Sequence, residues 1–365
     1  TSFATKGTED ITWETQGNFN AGFEFGFLNR ISGSIEYFRR NTTDMLFSFS
    51  VAPSLGYSSY YDNVGDMYNS GFELDLNVNA YRSKDISWDI FANISTLRNR
   101  ISMLHDDKKN TALWDANGTK VKGYTSGSFF ICEDVSIYSW RLKEYAGVDP
   151  ETGKSLWYKN TFQKDANGEY VLDAEGDRIW TGRETTDAYS DADYYLNRES
   201  TLPKLQGGFG TTFRAYGFDL SVNFTYQIGG KTLDYTYQQF MTNPTASNTG
   251  YNWHVDVLNA WTPENRETDV PRWNLDDTYA AATSTRFLTD ASYLNVQNIN
   301  FGYTLPARLT KKAQINSVRL YLSCENVGYI SKRQGFDPRQ SFSGGSDATN
   351  YSPMRTISGG LSLQF

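Results

Sequence analysis

Apolar and polar residues alternate with period two along much of the chain. Between Phe218 and Ile228 every even position is apolar and every odd position polar. Successive side chains of a β-strand point to opposite faces, so an unbroken alternation of this length predicts a strand with one apolar face. Phe72, Leu74, Leu76, Val78 and Ala80 alternate with Glu73, Asp75, Asn77, Asn79 and Tyr81. Ile357, Gly359, Leu361, Leu363 and Phe365 alternate with Ser358, Gly360, Ser362 and Gln364, and Val318, Leu320, Leu322 and Cys324 with Arg319, Tyr321, Ser323 and Glu325. Looser versions cover 13–27, 31–50, 86–104, 204–213 and 292–305, which makes nine principal strands.

The connections alternate in length. Leu28–Arg30, Arg82–Asp85 and Arg214–Gly217 are tight turns and Pro306–Asn316 a modest one, whereas 52–69, 105–203, 230–291 and 328–353 are long, polar and Gly-rich. Compact soluble domains rarely carry structureless loops beyond about 12–15 residues. Short turns at one end, long loops at the other, and strands of roughly 9–11 residues or more describe a barrel that crosses an outer membrane. In hydrocarbon each unpaired N–H or C=O costs several kcal/mol, so strands survive there only in a closed ladder. We therefore expect an all-β fold, an antiparallel transmembrane outer-membrane β-barrel with its apolar face toward lipid and its polar face around a wet lumen. A soluble carbohydrate-binding β-sandwich shares the periodicity but not the strand lengths or the loop asymmetry.

Nine alternating strands leave the first and last running the same way, and antiparallel closure needs an even number. The 105–203 stretch has room for a further hairpin, which adds two strands and leaves the parity unchanged. Residues 1–365 are thus expected to be the C-terminal portion of a larger barrel whose other strands lie upstream; the opening Thr-Ser-Phe carries no initiator Met and no leader pattern.

Composition sharpens this picture. The 365 residues carry 34 basic and 42 acidic side chains, a net charge of −8, and a mean hydropathy of −0.57. Yet 16% are aromatic, with 23 Phe, 25 Tyr and 9 Trp, which speaks against disorder. The acidic balance gives no footing for a nucleic-acid partner. The longest apolar runs, Phe129–Cys132 and Tyr279–Ala282, are far too short for a spanning helix. Cys132 and Cys324 fit neither a disulfide framework nor a zinc site, and Cys324, on the apolar face, reads as a small hydrophobe.

The sequence offers no enzyme chemistry. Only His105 and His254 could act as neutral-pH bases, and both fall in predicted loops. Gly230-Lys231-Thr232 resembles the end of a phosphate loop, but Thr225 stands where its first Gly belongs. Asp165-Ala166-Asn167-Gly168-Glu169, with Asp173, Glu175 and Asp177, spaces oxygen ligands alternately but lacks the closing Glu of a calcium loop. Asn-Gly is a strong hairpin-turn signal and Asp-Ala-Asn-Gly recurs at 115–118, so turns are the preferred reading. No cofactor or metal is called for.

The predicted loops are rich in rings, among them Trp114. Sugar C–H faces and peptide side chains both stack on such rings. Trp140, Trp157, Trp180, Tyr194, Tyr195, Trp253, Trp261 and Trp273 are therefore the candidate substrate contacts. For any single ring, packing of the loop or a place in the interfacial girdle is the commoner fate. On the polar face, Glu73, Asp75, Asn77 and Asn79, and Asp219, Ser221, Asn223, Thr225 and Gln227, offer hydrogen bonds to a hydrated solute or a plug, though lumenal solvation accounts for them equally well.

The last five residues, with Leu361, Leu363 and the terminal Phe365 alternating, look like the insertion signal of outer-membrane barrels. An ordered series of segments extends the likeness: Trp13-Glu14, Thr43-Asp44-Met45-Leu46, Asn63-Val64-Gly65 with Asn69-Ser70-Gly71-Phe72-Glu73, and Ala146-Gly147-Val148-Asp149-Pro150-Glu151-Thr152-Gly153. It continues with Leu202-Pro203-Lys204, Gly207-Gly208-Phe209, Trp261-Thr262-Pro263-Glu264-Asn265 and Ser292-Tyr293-Leu294. Phe301-Gly302-Tyr303-Thr304-Leu305-Pro306, Glu325-Asn326-Val327, Gly335-Phe336-Asp337-Pro338 and Tyr351-Ser352-Pro353-Met354-Arg355 complete it. This series resembles the C-terminal part of SusC/RagA-like TonB-linked outer-membrane transporters of glycan-foraging Gram-negative bacteria. The resemblance implies a barrel of about 22 strands around a plug, located in the bacterial outer membrane, that imports oligosaccharides or peptides. It also implies a SusD-like surface lipoprotein over the long loops, contact with outer-membrane lipid, the TonB complex acting through an N-terminal part outside these residues, and a structural role for Arg355. A passive porin or adhesin barrel would show the same alternation without the plug.

Overall fold

Nine long strands form one sheet in strict chain order: β1 (Thr15–Phe27), β2 (Ile31–Thr43), β3 (Gly65–Arg82), β4 (Ile86–Thr96), β5 (Leu205–Ala215), β6 (Phe218–Ile228), β7 (Tyr293–Thr304), β8 (Ser317–Ser331) and β9 (Thr356–Gln364). Every neighbouring pair is antiparallel. The computed structural model describes residues 3–243, 252–275, 277–340, 345–346 and 352–365. Among these, β1 and β9 are the edges of the sheet, and they point the same way, as an odd number of alternating strands requires.

The turns at one end are tight because their residues accept the left-handed conformation. Leu28 and Asn29 sit at φ 52° and 53°, and Tyr216 and Gly217 at 51° and 91°, the paired positive φ of a turn whose twist matches two flanking strands.

Cross-strand register shows how the alternation is used. One face reads Phe218–Tyr303–Leu320–Leu361 across four strands, then Leu220–Phe301–Leu322, then Val222–Ile299–Cys324–Ile357. Phe23, Phe72, Leu322, Ile357 and Phe365 on this face are all more than half exposed. Soluble monomers rarely show apolar patches beyond a few hundred Å². Against lipid such a face is the ordinary outer surface of a barrel. Leu361 and Leu363 lie on it, and Cys324 is seated between Ile299 and Ile357 as a hydrophobe would be.

The opposite face is polar and self-bonded. Asn223 donates to Asn298 at 2.9 Å, and Asn295 to Thr225 at 3.3 Å. Arg319 of β8 reaches across β7 to fork onto Asp219 of β6, with Nε–Oδ1 3.0 Å and Nη2–Oδ2 2.6 Å. The pair passes directly over Gly302, where an added Cβ would lie 2.4 Å from Nη2 and 2.6 Å from Oδ1. Glycine is what lets two charges span three strands flat against the wall.

Two expected strands end early. Residues 31–50 break at Asp44, whose φ of 54° turns the chain out of the sheet. Leu46–Ser50 then forms a hairpin with Tyr57–Asn63, joined in parallel by Phe3–Lys6. Residues 86–104 divide at Leu97, beyond which Arg98–Leu104 pairs only with the upper part of β3.

The 105–203 stretch holds far more than a hairpin. Thr111–Asp115, Lys120–Ser126, Phe129–Cys132, Ser139–Lys143 and Tyr194–Ser200 close into a small barrel, beside a three-stranded sheet of Tyr145–Val148, Ser155–Phe162 and Trp180–Thr186. This module obeys the rule of water-soluble proteins and buries its apolar side: Leu113, Phe130, Cys132, Val135 and Leu196 pack inside it.

Gly302→Ala should destabilise the wall by roughly 1–3 kcal/mol, as overpacking does elsewhere, and lower the temperature at which the folded band shifts to its unfolded mobility on gels. Gly17→Ala, with open space around the added Cβ, should leave that temperature unchanged.

Candidate functional site

The loop module is seated where the wall gives way. Beyond Leu97 the strand 98–104 has β3 on one side, and its other edge is satisfied by the module. Ile101 N–H donates to Val135 O and Asp134 N–H to Ile101 O, both at 3.0 Å. The Asn99 side-chain oxygen accepts from Ser136 Oγ at 3.0 Å and from Ile137 N–H at 2.9 Å. Met45, Val64, Ile101 and Leu104 from the wall side bury Tyr124 and Ile131 of the module. Asn99 and Ile101, which make these contacts, share the cross-strand parity of the polar face.

The 230–291 loop packs beside it. Asp234 caps the short helix Tyr235–Phe240 through Tyr237 N–H at 2.8 Å. Leu233, Met241, Val270 and Phe287 form a core around Trp140 and Leu142. At the top of β8, Arg339 forks onto buried Asp337 at 2.8 and 2.7 Å and donates to Asn326 at 2.9 Å. Burial opposes the Asp337 charge, and Arg339 nonetheless holds the carboxyl below the usual carboxylate range.

The eight predicted rings meet different fates. Trp140, Trp157 and Tyr195 are buried at 2%, 2% and 0% exposure. Trp140 donates its Nε1–H to Lys231 O at 3.3 Å, and Trp157 sets its edge on Tyr189. Trp180 donates to Asn160 and covers Gly118; Trp261 donates to Pro150 O and covers Gly153. Trp253 and Trp273 pair edge to face at 5.5 Å, Trp253 donating to Thr242 O and Trp273 remaining exposed. Tyr194 is exposed on one side, with the Arg141 guanidinium 3.7 Å from its ring centre.

Around Tyr194 the structure assembles residues that sequence reading overlooked. Tyr189 stacks on Tyr279 at 5.2 Å, and the Lys143 ammonium sits 4.2 Å from the ring centre of Tyr189 and 5.3 Å from that of Tyr194. Burial pushes Lys143 below its usual pKa, with Asp193 working against the shift. Tyr279 borders a recess of about 320 Å³ lined by Lys154, Asp187, Arg272 and Asp277. Exposed ring faces beside charges of both signs can hold a sugar face or a peptide backbone with its termini. No spacing links residue 189 to 279, so only folding brings them together.

Asp165 accepts from Asn167 and Glu169 N–H, Asp173 from Glu175 and Asp177 N–H, and Asp115 from Asn117 and Thr119 N–H. All three are turns whose carboxylates are already occupied by their own backbone, with a glycine at positive φ in each. Both histidines lie in loops, and His254 caps the turn Val255–Asn259. Cys132 is buried, which raises its thiol to about 12.

Residues 1–209 match the family described as TonB dependent receptor-like, beta-barrel. The chain belongs to that family. TonB-dependent receptor P3 of Formosa agariphila is 28% identical over 373 residues, covering 98% of this chain and 35% of that protein. TonB-dependent receptor SusC of Bacteroides thetaiotaomicron is 28% identical over 372 residues, covering 98% and 32%. A solved structure of the RagAB peptide transporter superposes with a TM-score of 0.76 at 30% identity, over 100% of this chain and 37% of that one. The chain thus spans about a third of the length of the TonB-dependent receptors it matches.

Trp140→Ala should cost ~3–5 kcal/mol, as large core truncations do, and expose the loops to limited proteolysis. Tyr194→Ala should leave the cleavage pattern unchanged. In the folded protein at pH 8, Cys132 should resist alkylation, because almost none of it is thiolate so far below about 12; mass spectrometry should show modification only after unfolding.

Proposed function

We propose that residues 1–365 form the C-terminal portion of the barrel of a TonB-coupled importer in the bacterial outer membrane. The observation that carries this reading is the sequential antiparallel sheet, apolar outside and polar inside, in a chain of the TonB-dependent receptor family. Its two parallel-running edges are joined by further strands outside these residues, in a barrel of about 22. A plug and a TonB-contacting segment lie outside them as well.

The cargo is an oligosaccharide or a peptide, captured together with a SusD-like surface lipoprotein resting on the long loops. The similarity to SusC and to the RagAB peptide transporter supports this cargo class. Within the loops, the rings that keep an accessible face make ligand contact: Tyr194 and Trp273 from the predicted set, with Tyr279. Trp140, Trp157 and Tyr195 hold the loops in shape, while Trp180, Trp253 and Trp261 brace individual turns. The chain catalyses no covalent step; the work is binding and passage.

Cells expressing the full-length protein should take up a labelled oligosaccharide or peptide, and collapsing the proton gradient should abolish uptake. Uptake that persists without the gradient would identify a passive pore instead. Tyr194→Ala and Trp273→Ala should each weaken capture severalfold without lowering the amount of folded barrel.

A further inference from the structure

The outer face of the wall does not stay apolar to its upper rim. Register places Arg39 of β2, Ser70 of β3 and Arg98 of the strand beyond Leu97 in one cross-strand row. The next row up contains Asn41, Tyr68 and Arg100. Below them come Tyr37 and Phe72, with ring centres 5.1 Å apart, then Ile35, Leu74 and Ile94, then Ile31, Val78 and Ile90. All these side chains share the parity of the exposed apolar face. Going up the outside of β2–β4, one therefore meets aliphatic rows, an aromatic pair, and then arginines.

A cleft of about 880 Å³ opens at this level, where strand 98–104 and the start of β5 diverge; its lining includes Phe72, Arg98, Arg100 and Lys204. Its acidic members are already engaged: Asp115 with Arg198, Glu199 and Asp290 with Lys231, and Glu144 with Arg183. Two arginines outside those pairs have neutral partners. Arg39 donates to Asn41 at 2.9 Å and lies over the Tyr68 ring at 4.2 Å, and Arg100 donates to the Asn99 carbonyl at 3.0 Å. Arg39 and Arg98 are both exposed, about 10 Å apart across two strand spacings. Two guanidinium groups at that separation can converge on one anion, and a phosphate oxygen pair matches their fork.

We infer that this row is a binding site for a phosphate-bearing lipid of the outer leaflet. Arg39 and Arg98 hold the phosphate, the Ser70 hydroxyl lies between them, Arg100 supplies a second positive tier, Lys204 lines the adjoining cleft, and the acyl chains lie on the Tyr37–Phe72 and Ile35–Leu74–Ile94 rows. The site rests on the proposed placement of the sheet in a membrane. A free anion would need only the arginines, whereas a lipid also uses the apolar rows directly beneath them. That continuity selects the lipid.

The test uses the full-length protein purified in detergent, stripped of lipid, and titrated with monophosphoryl lipid A while native mass spectrometry counts bound lipid. The Arg39→Gln, Arg98→Gln double variant should bind it roughly tenfold more weakly. The same lipid without its phosphate should bind both proteins equally weakly, and inorganic phosphate should not displace the intact lipid. Equal lipid binding by variant and parent, with both still migrating as folded barrels, would overturn the inference. So would displacement by inorganic phosphate, which would mark a free-anion site. Unchanged lipid binding with loss of a co-purifying lipoprotein would mark the face as a protein interface and overturn it as well. Recovery of the parent protein without detergent, outside the outer-membrane fraction, would instead bring down the membrane placement, and this site with it.

Discussion

A backbone amide in hydrocarbon has no water to turn to, and the rest of this structure depends on that constraint. The N–H and C=O groups of β1–β9 must be paired within the protein, and a sheet does this while leaving its side chains free to choose a face. The consequence is an inverted protein. Phe23, Phe72 and Ile357 are exposed because lipid is their solvent, while the half-buried Asn223 and Asp219 lie on the opposite, polar face. An outward Leu that would be a liability in water is unremarkable here.

The same chain reverts to the ordinary rule as soon as it leaves the wall. The loop barrel and its neighbours bury Phe130, Trp140, Tyr195 and Leu233, and the carboxylates they bury, among them Asp115 and Asp337, are paired with Arg198 and Arg339. The two regimes meet at Leu97 and Asp44: beyond Leu97 the module supplies the missing hydrogen bonds, and beside Asp44 the Val64–Asp66 segment does. Polar groups that close the wall also need room. Arg319 and Asp219 can pair across β7 only because Gly302 offers no side chain, and the Tyr321 ring similarly lies over Gly360.

Much of the wall was legible in the sequence because each strand's alternation is a local property. Each of the nine expected strands has a counterpart in the wall, and the tight turns at Leu28–Asn29 and Tyr216–Gly217 are where turn chemistry put them. Yet 31–50 stops at Thr43, 86–104 at Thr96, and the strand through Phe72 begins at Gly65, inside the expected 52–69 loop. The misplaced ends have a common cause: alternation runs on past Thr43, where the partner becomes Tyr57–Asn63, and past Thr96, where β3 remains but the neighbour β5 is lost. The loop module was illegible for the opposite reason. Its strands are four to eight residues long, and its closure pairs Tyr195 with Trp114 in parallel, a contact between distant segments that no local pattern announces. The rings were visible, but not which of them would be interior.

The sequence by itself determined the class of solvent on each side of the sheet, the number and order of the wall strands, and the parity of their directions. These follow from residue types at fixed local spacing. Only the tertiary structure decided which loop aromatics are core and which are surface, that Tyr189 and Tyr194 flank Lys143 with Tyr279 stacked on Tyr189, and that Arg39 and Arg98 share a row. Those are distances between residues far apart in the chain, set by register and packing. Local pattern carries no information about a separation that exists only once the strands have paired.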